Sequence, residues 1–391
     1  MHILVMPSWY SNSLQPQSGI FFRHHAQSLA ALGHQVGIAF YEARVLRSLS
    51  PQGLRENHFQ TQISPEFGIP TVRLKGWNPL SQKPAGAKLR GLLYERAALA
   101  YIRRYGRPDA VHVQSGMWSG LGALRLHRRL HIPYLLTEHS NFVPGPDDPT
   151  MNGLYREVAR NAAKVTAVST SLAQDLRQKT GIEEISIVPN CIEYDLWAKP
   201  RPVTDSKTSR FVSVGHLIPL KDFDLLLRAF ANVHAKSPMS TLTIVGDGVE
   251  RNRLSEMARE MGLCDCVTFS GELDPSQVRD VLRSANCYVC ASKVETFGVA
   301  VLEALACGLP VVSTRCGGPE DFLRAPSSVL VPLGDVDSMA RAMLDQIRPD
   351  RPEVFEQARQ IAFAYSLDQV GPVLEAALKA TLVSGATSSG Q

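Results

Sequence analysis

Two glutamates eight positions apart, Glu295 and Glu303, are the residues of this 391-residue chain whose spacing says most about chemistry. Between them lies an apolar stretch in which Val299, Val301, Leu302 and Leu305 recur at a near-helical period. The pattern predicts a helix capped at Thr296 and stopped by Gly308 and Pro310. Glu295 then sits in the loop before the helix and Glu303 on it. A rise of 1.5 Å per residue separates the two by roughly 12 Å along the axis. A nucleophile and acid working on one glycosidic bond need carboxyls about 5–5.5 Å apart. The spacing instead suits one elongated ligand gripped at both ends. The N–H groups of Thr296, Phe297, Gly298 and Val299 would face its middle, where a helix start favours an anion. A nucleotide-sugar has that form, with the sugar at one end, the ribose at the other and the diphosphate between.

Other segments carry compatible chemistry. Gly215-His216-Leu217-Ile218-Pro219-Leu220-Lys221-Asp222 follows a predicted strand. Gly215 lets backbone approach a phosphate, and Lys221 supplies a point charge to it. With a nucleoside diphosphate as leaving group, charge at that place stabilises the transition state. Gly19 stands just before a predicted helix, another phosphate-friendly position. No G-x-G-x-x-G surrounds it, which disfavours an NAD site. His139, in Thr137-Glu138-His139-Ser140, ends a predicted strand, and Glu138 is assigned no role. Each of these residues taken alone reads as structure or solvated surface; it is their combination that points to a site.

The elements that must position them alternate along the chain. Strands are predicted at 3–6, 35–40, 110–112, 134–137, 164–168 and 185–188, with helices at 20–32, 91–105, 120–130 and 171–179. Gly33 serves as a helix C-cap. A second strand series follows at 211–214, 241–245, 267–269, 287–291, 311–313 and 329–331. Such alternation means parallel sheets covered on both faces. The Pro-rich polar segment 198–209 marks a domain boundary. Thr follows Pro by four positions in both Ile132-Pro133-Tyr134-Leu135-Leu136-Thr137 and Leu309-Pro310-Val311-Val312-Ser313-Thr314, a faint internal echo of two similar domains.

Composition is that of a globular protein, with 44% hydrophobic and 20% charged residues. The N-terminal Met1-His2-Ile3-Leu4-Val5-Met6 reads as a strand and not as a signal peptide, and no apolar run is long enough to span a membrane, so a cytoplasmic location is expected. Cys287-x-x-Cys290 and Cys264-x-Cys266 are read as structural thiols, since Cys287 and Cys290 fall on a buried strand. The net charge of +4 is asymmetric: residues 1–195 hold 21 Lys and Arg against 14 Asp and Glu, the remainder 20 against 23. Arg103, Arg104, Arg107, Arg125, Arg128 and Arg129 form basic clusters that suit a solvated face, an anionic acceptor or peripheral contact with the inner face of an anionic membrane. No nucleic-acid motif accompanies them.

Glu295 and Glu303, followed by Ala306-Cys307-Gly308-Leu309-Pro310-Val311-Val312 and Gly317-Gly318-Pro319-Glu320, resemble the donor-site signature of GT4-type retaining glycosyltransferases of GT-B fold. Gly215 to Asp222 is similar to the family's Gly-Arg-Leu…Lys-Gly segment, with His216 in place of Arg and Asp222 in place of Gly. The resemblance implies an α/β chain of two Rossmann-like domains with parallel sheets facing an interdomain cleft. An acceptor domain would span 1–197, a linker 198–209 and a donor domain 210–352. Helices at 353–383 would cross back onto the first domain, ahead of a disordered tail at 384–391. The implied activity is sugar transfer from a UDP- or GDP-sugar to a hydroxyl of a glycan or lipid-linked acceptor, with retention and without metal or other cofactor. Glu303 would hold the ribose and Glu295 the sugar hydroxyls. Lys221, His216, Gly215 and the amides of Thr296 to Val299 would hold the diphosphate. Leu273, in Phe269-Ser270-Gly271-Glu272-Leu273, would lie at the nucleobase. Gly19 would sit near the donor diphosphate and the acceptor and His139 beside the transferred sugar, and Pro189-Asn190-Cys191 is a turn. Asp147-Asp148 is a weak metal candidate. Two alternatives share the fold: a nucleotide-sugar epimerase, and a catalytically weak nucleotide-sugar-binding paralogue, which the His216 and Asp222 departures motivate.

Overall fold

A computed structural model describes residues 1–12, 17–44, 60–78, 80, 83–141, 143–145, 147–200, 208–346 and 352–388. Most of the 198–209 segment, the end of the predicted tail and part of the loop after Tyr10 lie outside the described residues. The chain forms two compact units, residues 1–191 with 367–391, and residues 192–366.

The first unit is built on eight strands: β1 (His2–Pro7), β2 (Gln35–Arg44), β3 (Thr61–Glu66), β4 (Ile69–Trp77), β5 (Ala110–Gln114), β6 (Tyr134–Glu138), β7 (Lys164–Ala167) and β8 (Ile185–Ile187). Their order is β3-β4-β2-β1-β5-β6-β7-β8. All neighbours are parallel except β3 and β4, which form an antiparallel hairpin. Ile3, Leu4, Val5 and Met6 are fully buried, as expected of a central parallel strand covered by helices on both faces. The hairpin is absent from the sequence expectations. Its Pro65 pairs with Pro70 at the sheet edge, where lost ladder donors are tolerated, and Phe67 and Gly68 turn it with positive φ. The helix Leu367–Ser388 belongs to this unit. It meets the helix Ile20–Ala31, where His34 Nε2 donates to Glu375 at 3.0 Å.

The second unit holds β9 (Arg210–Val214), β10 (Thr241–Val245), β11 (Val267–Gly271), β12 (Cys287–Cys290), β13 (Val311–Thr314) and β14 (Ser328–Val331). The sheet is all parallel, in the order β11-β10-β9-β12-β13-β14. Phe211, Leu226, Leu227, Phe230, Leu242, Ile244 and Val289 form its core. The cysteines are free thiols, and six of the seven are buried. Burial pushes the Cys287 thiol up to about 12. Both units therefore have the doubly covered Rossmann-like form, in which ligands bind beyond the carboxyl ends of the strands. Among the described residues no helix is long and apolar enough to cross a membrane.

Candidate active site

In the second unit the loop after β12 delivers Glu295. The turn around it is held from behind: Glu295 N donates to Cys316 O at 2.7 Å and Gly318 N to Glu295 O at 2.8 Å. Thr314 Oγ1 donates to Ser292 O at 2.6 Å. A Cβ on Gly318 would come within 2.4 Å of Phe297 Cα, so only glycine lets the two loops touch here. The helix that follows spans Val299–Ala306. Its N-cap is Gly298, at φ 92°, and not Thr296 as the sequence pattern predicts. Thr296 is a good capping residue, but the chain needs a positive φ at the turn into the helix, and that selects Gly298. Among the described residues the N–H groups of Thr296, Phe297 and Gly298 find no backbone acceptor. The predicted stop holds: Gly308 N bonds Leu305 O and Leu309 N bonds Ala304 O, a Schellman closure with Gly308 at φ 77°.

Lys221 comes to Glu295 from the loop after β9 and forms an ion pair with its Oε1, which also accepts from Ser292 Oγ at 2.8 Å. Burial works to lower the Lys221 pKa, but the carboxylate of Glu295 outweighs it and the net shift is upward. The ammonium is therefore fixed as a cation. Lys221 closes a short 3-10 turn, Pro219–Lys221, and the next residue, Asp222, is left-handed at φ 47°. That conformation explains why the related pattern has glycine there, and aspartate is among the few residues that tolerate it. Gly215 lies beneath the Lys221 side chain, with room for an ordinary contact at 3.6 Å, while His216 is exposed. The stringent glycine is Gly246, in the family-like Val245-Gly246-Asp247-Gly248 segment, where a Cβ would meet Gly215 O at 2.1 Å.

Glu303 stands apart from this pair. Burial alone pushes its carboxyl up to about 8, and no hydrogen bond or ion pair engages its side chain among the described residues. Leu273 is half-buried in the turn after β11, just before the Asp274 cap of the helix Pro275–Ser284. Arg251 flanks that turn, donating to Phe269 O at 3.2 Å, a neighbour that no local sequence signal announced.

In the first unit Gly19 is the N-cap of Ile20–Ala31, at φ 69°, and a Cβ there would meet Trp9 O and Phe22 at 2.9 Å. His139 is buried between Phe21 and Phe22, whose ring centroids lie 5.1 and 4.8 Å away. Its Nδ1 donates to Asn190 Oδ1 at 2.8 Å, which leaves a lone pair on Nε2, a buried atom with no partner among the described residues. Burial first, then the neighbouring His25 and His112, hold its pKa well below 6.5. The ring is a neutral acceptor. Glu138 is not idle: it accepts from Gly116 N at 2.9 Å, His139 N at 3.1 Å, Ser140 N at 3.2 Å and Tyr155 OH at 3.1 Å. It thereby ties the turn after β5 to the end of β6. Asn190 likewise does more than shape a turn.

The basic clusters are largely engaged locally. Arg125 and Arg129 pair with Glu95, Arg128 pairs with Glu157, and Arg107 donates to Leu130 O. Asp148 caps the helix Pro149–Asn161 by accepting from Met151 N at 3.1 Å.

Two family models match the chain: "Glycosyl transferases group 1" over residues 198–360 and "Glycosyltransferase Family 4" over residues 18–196. A 2-deoxystreptamine N-acetyl-D-glucosaminyltransferase of Streptomyces fradiae is 26% identical over 311 residues, covering 71% of this chain and 72% of the relative. Among solved structures, a sucrose-phosphate synthase from Thermosynechococcus elongatus superposes with a TM-score of 0.77 at 20% identity, over 97% of this chain and 98% of its own. Anabaena HepE in complex with UDP gives 0.72 at 16% identity, over 97% and 100%.

Proposed function

Since the chain belongs to the group 1, GT4-type glycosyltransferases of GT-B fold, we propose that it moves a sugar from a nucleotide-diphospho-sugar to an acceptor hydroxyl with retention of configuration. The observation that carries the donor assignment is the grouping in the second unit. A fixed ammonium at Lys221, after β9, meets Glu295 in the loop after β12; open amides at Thr296 to Gly298 follow in that loop, and an unpartnered carboxyl at Glu303 lies on the helix that the loop enters.

Each group has a task. Lys221 and the amides take the diphosphate and stabilise the charge that grows on it as the glycosidic bond breaks, the strongest help that fixed charges and dipoles can give such a reaction. Glu295, held by Ser292 and Lys221, accepts from sugar hydroxyls. Glu303 accepts from the ribose diol, which supplies the donors its side chain lacks. Val299 and Leu273 border the nucleotide, and exposed His216 contributes a single donor where the family has a fork. In the first unit neutral His139 accepts a hydrogen bond from a hydroxyl through Nε2, and Gly19 gives backbone access. Retention is supported by the family membership, and a glycan or lipid-linked acceptor by the same likeness.

Titration of the full chain with UDP and GDP, followed by NMR of the product anomer formed from the matching sugar nucleotide, tests this. Lys221→Ala is expected to lower transfer roughly 10²- to 10³-fold. Undiminished transfer by both Lys221→Ala and Glu295→Ala proteins would refute the roles given to them. Isomerised donor in the absence of any acceptor would favour an epimerase instead.

A further inference from the structure

Arg90 is a cation of the first unit that no anionic group answers among the described residues. It lies on the helix Pro84–Tyr105, half-buried, with its guanidinium 4.3 Å from the Trp118 ring. Its Nε is buried and has no partner among the described residues. Burial lowers its pKa, and the groups opposing that are only the phenols of Tyr94 and Tyr41. The contrast with Arg73 is sharp: that guanidinium is engaged by Glu66 at 2.8 Å, Glu42 at 2.9 Å and Ser11 O at 2.8 Å. Desolvating a guanidinium without a counter-ion is unfavourable, and the arrangement persists because packing imposes it. Gly91 sits against Leu121, where a Cβ would come within 2.8 Å, and Gly122 sits against Tyr94 at 2.4 Å. These close approaches seat the Arg90 turn on the start of the helix Ser119–Leu130.

The place matters as much as the missing partner. Tyr94 OH donates to Pro7 O at 2.8 Å, and Trp118 N and Ser119 N donate to Ser8 Oγ at 3.3 and 3.0 Å. Arg90 and Trp118 thus stand at the carboxyl ends of β1 and β5, the central strands, where Rossmann-like sheets take ligands. A half-buried guanidinium stacked on an indole, without a counter-ion among the described residues, is what an anionic group on a glycan would meet.

We propose that Arg90, stacked on Trp118, is an acceptor-specificity residue that receives an anionic group, either the carboxylate of a uronosyl residue or a phosphate on the acceptor. This rests on the sugar-transfer reading above for the identity of its ligand as an acceptor. Three probes separate the possibilities by calorimetry on the full chain: p-nitrophenyl β-D-glucuronide, α-D-glucose 1-phosphate and the neutral p-nitrophenyl β-D-glucoside. The wild type is expected to bind one anionic probe roughly 10- to 100-fold more tightly than the neutral one, the range of a charge-assisted hydrogen bond. Arg90→Gln is expected to abolish that preference and leave the neutral probe unaffected. Preference for the glucuronide identifies a uronosyl acceptor, and preference for the phosphate a phosphorylated one. If Arg90→Gln does not fold, Arg90→Lys, which keeps charge but loses the fork, is expected to cut the preference several-fold. No preference in the wild type, or an unaltered preference in either variant, overturns the proposal. UDP titration runs alongside: an anion preference without UDP binding would count against the donor site and leave the Arg90 site standing.

Discussion

Replacing Glu303 by glutamine should stabilise the second unit and weaken nucleotide binding together. Burial moves this carboxyl from 4.5 to about 8. Between those values the folded protein holds a proton that the unfolded chain has released. Stability must therefore fall as pH rises through that window, by at most about 1.4 kcal/mol per pH unit. Integrated to pH 8, the fall approaches about 5 kcal/mol, a ceiling that partial solvent access reduces to about 2–5 kcal/mol. Glutamine has the same shape and does not titrate, so the variant avoids the loss. At pH 5 the two proteins should melt within a degree or two of each other. At pH 8.5 the variant should melt roughly 4–20 °C higher, taking 2–4 °C per kcal/mol for a unit of this size.

The assay is a set of thermal melts from pH 4.5 to 9, repeated with UDP. A ribose diol that donates to Glu303 favours the charged form. UDP affinity of the wild type should then rise as pH climbs toward 8, while that of the variant stays flat. A melting gap that does not grow with pH would show that the carboxyl is not desolvated. A gap that grows while UDP affinity stays pH-independent in both proteins would show that Glu303 does not touch the ribose.

Lys221→Met or Glu295→Leu alone should destabilise by about 3 kcal/mol, because each leaves a partly buried charge alone; the double variant should recover most of that while staying inactive, as denaturant titrations of all four proteins would show. Gly318→Ala forces a Cβ into the Phe297 backbone and should cost about 1–3 kcal/mol, with a loss of UDP affinity measurable by calorimetry. Asn190→Asp places a carboxylate on the His139 Nδ1–H, so it should raise the His139 pKa in an NMR titration and add an acidic limb to the pH–rate profile that the wild type lacks.

Much of this architecture was legible in the chain. Buried strands such as Val311-Val312-Ser313-Thr314 announce themselves as apolar runs behind a proline, and the Gly308 stop follows from glycine's tolerance of positive φ. The β3–β4 hairpin was not legible, because Pro65, Pro70 and Gly76 argue against strands unless the edge position is known. The helix Pro149–Asn161 hid behind a Pro-rich lead that made its cap, Asp148, look like a metal ligand. The cap at Gly298 was missed for a different reason: Thr296 satisfies local preference, while the φ at Gly298 is set by the neighbouring Cys316–Gly318 loop. At the site, the residue types were readable and their pairing was not. Lys221 and Glu295 are 74 positions apart, and no local rule says that they meet.

Burial is what gives the two units opposite responses to pH. In the first unit, burial holds His24 and His25 down to about 4, and His112 and His139 well below 6.5. As pH falls below 6.5 the unfolded chain gains protons that these rings refuse, so stability drops by up to about 1.4 kcal/mol per pH unit for each ring. In the second unit Glu303 works in the other direction, and stability drops as pH rises toward 8. Neither arrangement helps folding: a buried imidazole with a free Nε2 and a half-buried, poorly solvated carboxyl without protein donors are both unfavourable until something binds them. Acid melts should therefore take the first unit before the second, and a nucleotide should protect only the second. Protection of the first unit by a nucleotide alone would mean that His139 and its neighbours answer to the donor, and the division of labour drawn between the two units would fall.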